Sequence, residues 1–287
     1  MKIIIKLGGS VVTFKETKDF PLSWKEIERT CERYIRVWNV RRIAKEIASI
    51  TKITELQMIL INGAGPFGHF LVKERLEGNK SITTELIHKS VELLNQKIVR
   101  IFNDNGMKLV PLAPYELCYF SNGMYNIQQL YTKCLRVLSE GGFPSTYGDC
   151  VKVNKQTPPL GDCVVISGDD LVVELTKLWR PDKVIIATDV DGVFTSDPKL
   201  NPDARLIRLF SPETLESTKF EISSIDVTGG MRSKVIKLLS ISSMAECRII
   251  NGLKPGIIRK AILGYNVGTL IKGNLHPNSL SEVWSTD

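Results

Sequence analysis

Short apolar runs recur along the chain, and several end in a glycine turn or a pair of acids just before a helical pattern begins. Ile3 to Leu7, Met58 to Asn62, Lys108 to Leu112, Val164 to Ser167, Lys183 to Thr188, Glu246 to Ile250 and Thr269 to Ile271 read as strands. Between them, Arg41 to Ser49, Thr84 to Asn105, Ile127 to Glu140, Asp170 to Leu178 and Arg232 to Ser242 carry apolar residues at helical spacing. This alternation predicts an α/β fold, an open, mostly parallel sheet sandwiched by helices. Phe20 to Trp38, rich in charge and aromatics, reads as an extra helical or loop segment. Arg180-Pro181 ends the Asp170 helix before the next buried strand. It divides the chain into an N-terminal lobe, residues 1–180, and a C-terminal lobe, residues 181–287, sharing one continuous sheet.

Composition narrows the class. With 287 residues the chain can bury a large core, and its charge balance of 38 Lys and Arg against 31 Asp and Glu leaves +7. That surplus suits nucleic acid or small anionic substrates. No basic run of five or more occurs, nor a basic stretch interleaved with aromatics, so nucleic acid is not expected as a partner. The six cysteines form no C-x-x-C pair, which argues against a zinc or redox centre and for buried thiols in a reducing compartment. Met1 leads directly into a strand, leaving no room for a signal peptide, and no apolar run approaches the roughly 18 residues of a membrane span. A cytoplasmic protein without membrane contact is expected.

The turns carry the chemistry. Lys6-Leu7-Gly8-Gly9-Ser10 brings a lysine and a double glycine to the end of a strand, where backbone N–H groups can approach phosphate oxygens. Gly63, Gly65 and Gly68 satisfy G-x-G-x-x-G after another apolar strand. A dinucleotide site would need a second strand ending in an acid about 20 residues on, and the polar stretch Lys73 to Lys80 is not one. The run therefore reads as an anion-binding turn ending in His69, whereas His88 and His276 read as structural. In Ser167-Gly168-Asp169-Asp170 the acids can cap a helix, hold lysines in position or recruit magnesium for a nucleotide. Thr188-Asp189-Val190-Asp191-Gly192-Val193-Phe194 ends a further strand and suggests a nucleotide site at the sheet's C-terminal edge. In Asp226 to Lys234, a Gly-Gly turn opens a helix that carries Arg232 and Lys234 near its N-terminus, where cations are disfavoured unless an anion sits there. There is no P-loop, no H-R-D or D-F-G kinase signature and no G-x-S-x-G elbow. Phosphoryl transfer by positioning and electrostatics, without a covalent nucleophile, fits what remains.

In order, K-x-G-G-S, G-x-G-x-F-G-H, Y-G-D, S-G-D-D, T-D-V-D-G-V, D-P, T-G-G-M-x-x-K and a closing G-T resemble the amino acid kinase superfamily over nearly the whole chain. His69, Lys15 and Thr146-Tyr147-Gly148-Asp149 resemble, within it, the archaeal isopentenyl phosphate kinases. The resemblance implies transfer of the ATP γ-phosphate to isopentenyl phosphate, with Mg2+ and a homodimer. It implies that Lys6, Lys15 and Lys234 hold the phosphates and the transferring group, that Asp169 orients the lysines, and that Gly8, Gly9 and Ser10 donate to phosphate. Thr188, Asp189, Val193, Phe194, Asp197, Pro198, Gly229 and Gly230 would line the nucleotide. Gly63, Ala64, Gly65, Gly68, His69, Tyr147, Gly148, Asp149, Ser167 and Gly168 would surround the acceptor, His69 through a charge-assisted hydrogen bond. A fosfomycin-type phosphonate kinase is the enzymatic alternative, and an anion-storing or sensing relative the non-enzymatic one. The sequence departs from the family's pattern at Asn62, Ala64 and Pro66, which replace a histidine, a glycine and a serine. Ala64 would add a methyl where backbone must approach phosphate, and Pro66 would remove a donor.

Overall fold

The computed structural model describes residues 1–14, 19–153, 163–217 and 230–273. The chain begins β1 (Lys2–Leu7), α1 (Gly9–Val12), α2 (Trp24–Thr30), a 3-10 turn (Cys31–Tyr34), α3 (Val37–Thr51), β2 (Gln57–Asn62), α4 (Pro66–Leu76) and α5 (Thr84–Asn103). Next come β3 (Leu109–Pro111), α6 (Pro114–Leu117), β4 (Tyr119–Ser121), β5 (Met124–Asn126), α7 (Gln128–Ser139), β6 (Phe143–Tyr147), β7 (Asp149–Val153), β8 (Cys163–Ile166) and α8 (Gly168–Trp179). The remainder is β9 (Lys183–Thr188), β10 (Val193–Phe194), β11 (Leu206–Ile207), β12 (Leu209–Phe210), α9 (Pro212–Ser217), α10 (Gly230–Leu239), β13 (Glu246–Asn251), α11 (Ile257–Ile262) and β14 (Thr269–Ile271).

Eight strands form one sheet in the order β12-β14-β13-β9-β1-β2-β6-β3, parallel except where β13 meets β14. The expected strand at Val164 to Ser167 forms as β8, but in a separate four-stranded sheet, antiparallel to β7. Of the eight strands in the main sheet, sequence reading does not find β6 and the two-residue β12. The β6 run Phe-Pro-Ser-Thr-Tyr contains a proline and lacks an apolar pattern, yet it lies between β2 and β3. Phe20 to Trp38 folds as α2 and the 3-10 turn. Phe20 is buried and packs edge-on against Tyr34, Phe67 and Phe70, with ring centroids 4.9, 5.0 and 6.1 Å away.

Period-two alternation along β1 sets the two layers. Ile3, Ile5 and Leu7 join the core under α3, α4, α5 and α11, while Ile4 joins the core under α7, α8 and α10. Lys6 has the parity of Ile4 and so faces α8 and α10. By the same count Asn62, in step with Met58 and Leu60, faces α5. Arg180 caps α8 in the left-handed conformation (φ 50°) just before Pro181. Because β1 pairs with both β2 and β9, segments from before and after Arg180 lie in one sheet.

Candidate active site

The C-terminal ends of β1 and β2 carry the two glycine turns, and these touch through bare backbone. A Cβ on Gly9 would lie 2.8 Å from the Gly65 nitrogen, and one on Gly63 would lie 2.5 Å from the Gly9 nitrogen. Gly65 also has φ 52°. No larger residue fits this junction. Gly8 donates its N–H to the Ala187 carbonyl on β9 at 2.8 Å, and Gly63 donates to Leu7 at 2.8 Å, so the turns are fixed to three adjacent strands.

Beside them, Asp169 in the first turn of α8 receives two ammonium groups. Lys6 Nζ donates to Oδ1 at 3.0 Å, and Lys234 Nζ, from α10, donates to Oδ2 at 2.7 Å. All three side chains are largely buried. Burial alone would push the Asp169 carboxyl up, but Lys234 and Lys6 outweigh it and hold the group far below the usual carboxylate range. Burial is also the largest influence on Lys6. With repulsion from Lys234 it overcomes the attraction of Asp169 and brings the ammonium from 10.5 down to about 8. The cluster thus concentrates two cations on one carboxylate, a net positive centre aimed at anions.

Neighbouring acids are occupied too. Asp170 completes a capping box with Ser167 and accepts from Lys237 at 2.7 Å. Asp189 accepts from Ser10 at 3.0 Å and from Lys199 at 2.6 Å. Asp191 accepts from Asn251 at 2.9 Å and from Lys254 at 2.6 Å. Asp197 turns the chain by accepting the Lys199 N–H at 2.8 Å, with Pro198 half-buried beside it. Among the described residues no group of three or more His, Cys, Asp or Glu could hold a metal ion.

His69 lies in the first turn of α4, half-buried, its backbone N–H donating to Gly65 at 2.9 Å. The structure gives Pro66 and Ala64 definite places in this turn. Pro66 takes the N1 position of α4, where its missing N–H would have no partner anyway. The Ala64 methyl turns toward Gly68, since a Cβ on Gly68 would lie 2.6 Å from it, and so does not bar the approach to backbone. Gly168 lies against Lys6, a Cβ there falling 3.2 Å from Cε, and Gly148 lies against Gly168.

Several of the expected site residues have partners within the chain. Asp149, expected at the acceptor, is buried and fully employed: it pairs with His88 Nδ1 at 2.9 Å and accepts the N–H groups of Tyr115 and Cys150. Tyr147 is 1% exposed and belongs to the core under α5. The Ser167 hydroxyl caps α8. Ser10 gives its hydroxyl proton to Asp189. The Thr188 hydroxyl bonds to the Val190 and Ile250 carbonyls, Val193 is buried with its N–H on Thr269, and Phe194 pairs with Leu206. Arg232 is exposed, and Lys234 lies in the second turn of α10, beyond Gly230. Lys15, Gly229 and His276 lie outside the described residues. Lys237 and Asn95 were missed. Lys237 is one helical turn from Lys234, and Asn95 is a polar residue on the apolar stripe of α5, signals that sequence alone contains.

A carboxylate at the start of α8 that bridges a lysine near the end of β1 and a lysine of α10, beside stacked glycine turns, is the arrangement of a phosphotransferase site. The chain belongs to the amino acid kinase family, whose model matches residues 1–251. It is 33% identical to the isopentenyl phosphate kinase of Methanothermobacter thermautotrophicus, over 94% of this chain and 99% of that protein. With the isopentenyl phosphate kinase of Thermoplasma acidophilum it shares 28%, over 94% of this chain and 100% of the relative. A crystal structure of isopentenyl phosphate kinase superposes with a TM-score of 0.73 at 30% identity, covering 95% of this chain and all of that one. Among the described residues no helix is long and apolar enough to cross a membrane.

Proposed function

We propose that this protein transfers the γ-phosphoryl group of ATP to the phosphate of isopentenyl phosphate, giving ADP and isopentenyl diphosphate. The observation that carries this reading is the Lys6–Asp169–Lys234 cluster beside a glycine turn that leads into His69. Transferring phosphoryl groups place charge on their equatorial oxygens, and two fixed ammonium groups in a buried site stabilise it without rearranging. Asp169 holds both lysines in place. The Gly8 to Ser10 backbone and Lys15 receive the nucleotide's phosphates, with Asp189 and Gly229-Gly230 alongside. Gly63 to Gly65 cradle the acceptor's phosphate, and His69 donates to it and aligns it for in-line attack. Magnesium, expected with ATP, would neutralise charge on the nucleotide's phosphates. Asp169, Asp170 and Asp189 already accept from lysines, so the described residues offer it no carboxylate cluster, and no step here depends on a protein-held metal.

A coupled assay with ATP, Mg2+ and isopentenyl phosphate is expected to release ADP at a rate dependent on the acceptor. Release only with a phosphonate, or with an amino acid carboxylate, would reassign the acceptor while keeping a kinase. His69→Ala is expected to raise the KM for isopentenyl phosphate about 10- to 100-fold, with the KM for ATP within about twofold, as for loss of one charge-assisted hydrogen bond. Equal loss for both substrates would remove His69 from the acceptor side.

Lys6 adds a pH signature. It is charged below about pH 8 and loses its proton above, so the clamp weakens as pH rises. kcat/KM for ATP reports the free enzyme, and it is expected to fall about tenfold per pH unit on the alkaline side of that value. Lys6→Arg should carry the plateau to higher pH. A wild-type profile flat to about pH 10 would contradict the role assigned to this charge.

A further inference from the structure

Behind the second glycine turn lies a buried polar chain that the cluster of lysines does not touch. Asn95, on the core-facing stripe of α5, donates from Nδ2 to Asn62 Oδ1 at 2.7 Å and to Ser145 Oγ at 2.9 Å. Asn62, Asn95 and Ser145 are each 0% exposed. Asn62 ends β2 immediately before Gly63, and its own Nδ2 reaches the Gly63 carbonyl at 3.4 Å. Its backbone carbonyl lies on the other side, 3.7 Å from where a Cβ on Gly168 would sit. Among the described residues Asn95 Oδ1 has no hydrogen-bond partner. A buried acceptor left unpaired costs stability that an apolar residue would not, so this amide is retained for the two hydrogen bonds it donates.

We propose that Asn95 is a positioning residue for the acceptor: through Asn62 and Ser145 it ties the ends of β2 and β6 to α5 and so fixes the backbone of the Gly63 to Gly65 turn. The identity of the acceptor rests on the function proposed above; the tie itself does not. β2 and β6 meet at Asn62 and Tyr147, the last residues of both strands, and among the described residues α5 is the one further element this chain of hydrogen bonds enters. With the amide gone, Asn62 is free to rotate, and the turn it precedes loses its register against Gly9. Displacement of a phosphate cradle by a fraction of an ångström falls on one substrate only.

Asn95→Leu, close in volume and unable to donate, is the test, with Ser145→Ala as a milder second variant. Asn95→Leu is expected to raise the KM for isopentenyl phosphate about tenfold or more, with the KM for ATP within about twofold, and Ser145→Ala to shift the same constant in the same direction by less. Backbone amide exchange at Gly63, whose N–H is donated to Leu7, is expected to quicken about tenfold in Asn95→Leu. A folded Asn95→Leu protein with both KM values moved equally, or with the acceptor KM unchanged, overturns the proposal. If Asn95→Leu does not fold, Ser145→Ala decides: an unchanged acceptor KM and unchanged Gly63 exchange overturn it. If the wild-type protein does not use isopentenyl phosphate, the functional reading fails by itself, and Gly63 exchange still decides for or against the tie.

Discussion

Asp169→Asn is expected to lower kcat about a thousandfold in a protein that still folds. The substitution keeps the shape and removes the charge on which both lysines are centred. Lys6 already sits near 8 with the carboxylate in place. Without it, burial and the repulsion of Lys234 act unopposed, and Lys6 holds its proton still less firmly. One of two clamp charges is then weakened and the other is no longer aimed, which is where the size of the effect originates. Removing one partner of a buried ionic cluster also costs about 3 to 5 kcal/mol of stability, less whatever deprotonation of Lys6 recovers. Single-turnover rates at saturating ATP, with a urea titration of the same samples, separate the two losses. A kcat within tenfold of wild type would mean that the cluster is structural.

Gly65→Ala is expected to reduce stability by about 3 to 5 kcal/mol and to remove activity with it. Two penalties coincide there: φ 52° with ψ −141° is open essentially to glycine alone, and the new methyl would overlap the Thr13 side chain. Gly78→Ala is the control, since Gly78 also has positive φ, 98°, but nothing lies within 4 Å of a Cβ there. It should cost about 1 kcal/mol. If the two variants show equal urea midpoints, the junction between the glycine turns is not as rigid as its contacts indicate.

The parts of the fold that were legible in sequence are those whose residues answer to a single demand. β1, β2 and β9 have continuous apolar centres because helices cover both faces of the sheet, and the parity of Ile4 and Lys6 places the lysine toward α8 and α10 without further information. β6 obeys two demands. It lies within the sheet, but Ser145 and Thr146 are polar and Pro144 interrupts the pattern, so no periodicity betrays it. The site divides in the same way. Lys6, Asp169 and Lys234 stood out because charge at a strand end or a helix start has few ordinary uses. Tyr147, Asp149 and Ser167 lie beside site motifs in sequence, and their partners within the chain are the core under α5, His88 and the start of α8, which only three-dimensional packing reveals. Asn95 was passed over because a polar residue among apolar ones in a helix looks like noise until Asn62 is found opposite it.

The central place of β1 has a consequence for how the molecule comes into being. On the nascent chain β1 is covered on one edge by β2, which follows it early, but its other edge waits for β9, and the Lys2 N–H that meets Asp182 does so across 180 residues. At ribosomal speeds that interval is on the order of ten to forty seconds. Throughout it, the nascent chain presents an apolar, unpaired strand edge of the kind that joins neighbouring chains into aggregates. Lys234 is made later still, so the catalytic centre closes only when the exposed edge is gone, and yield during expression should depend on how quickly the second half follows the first.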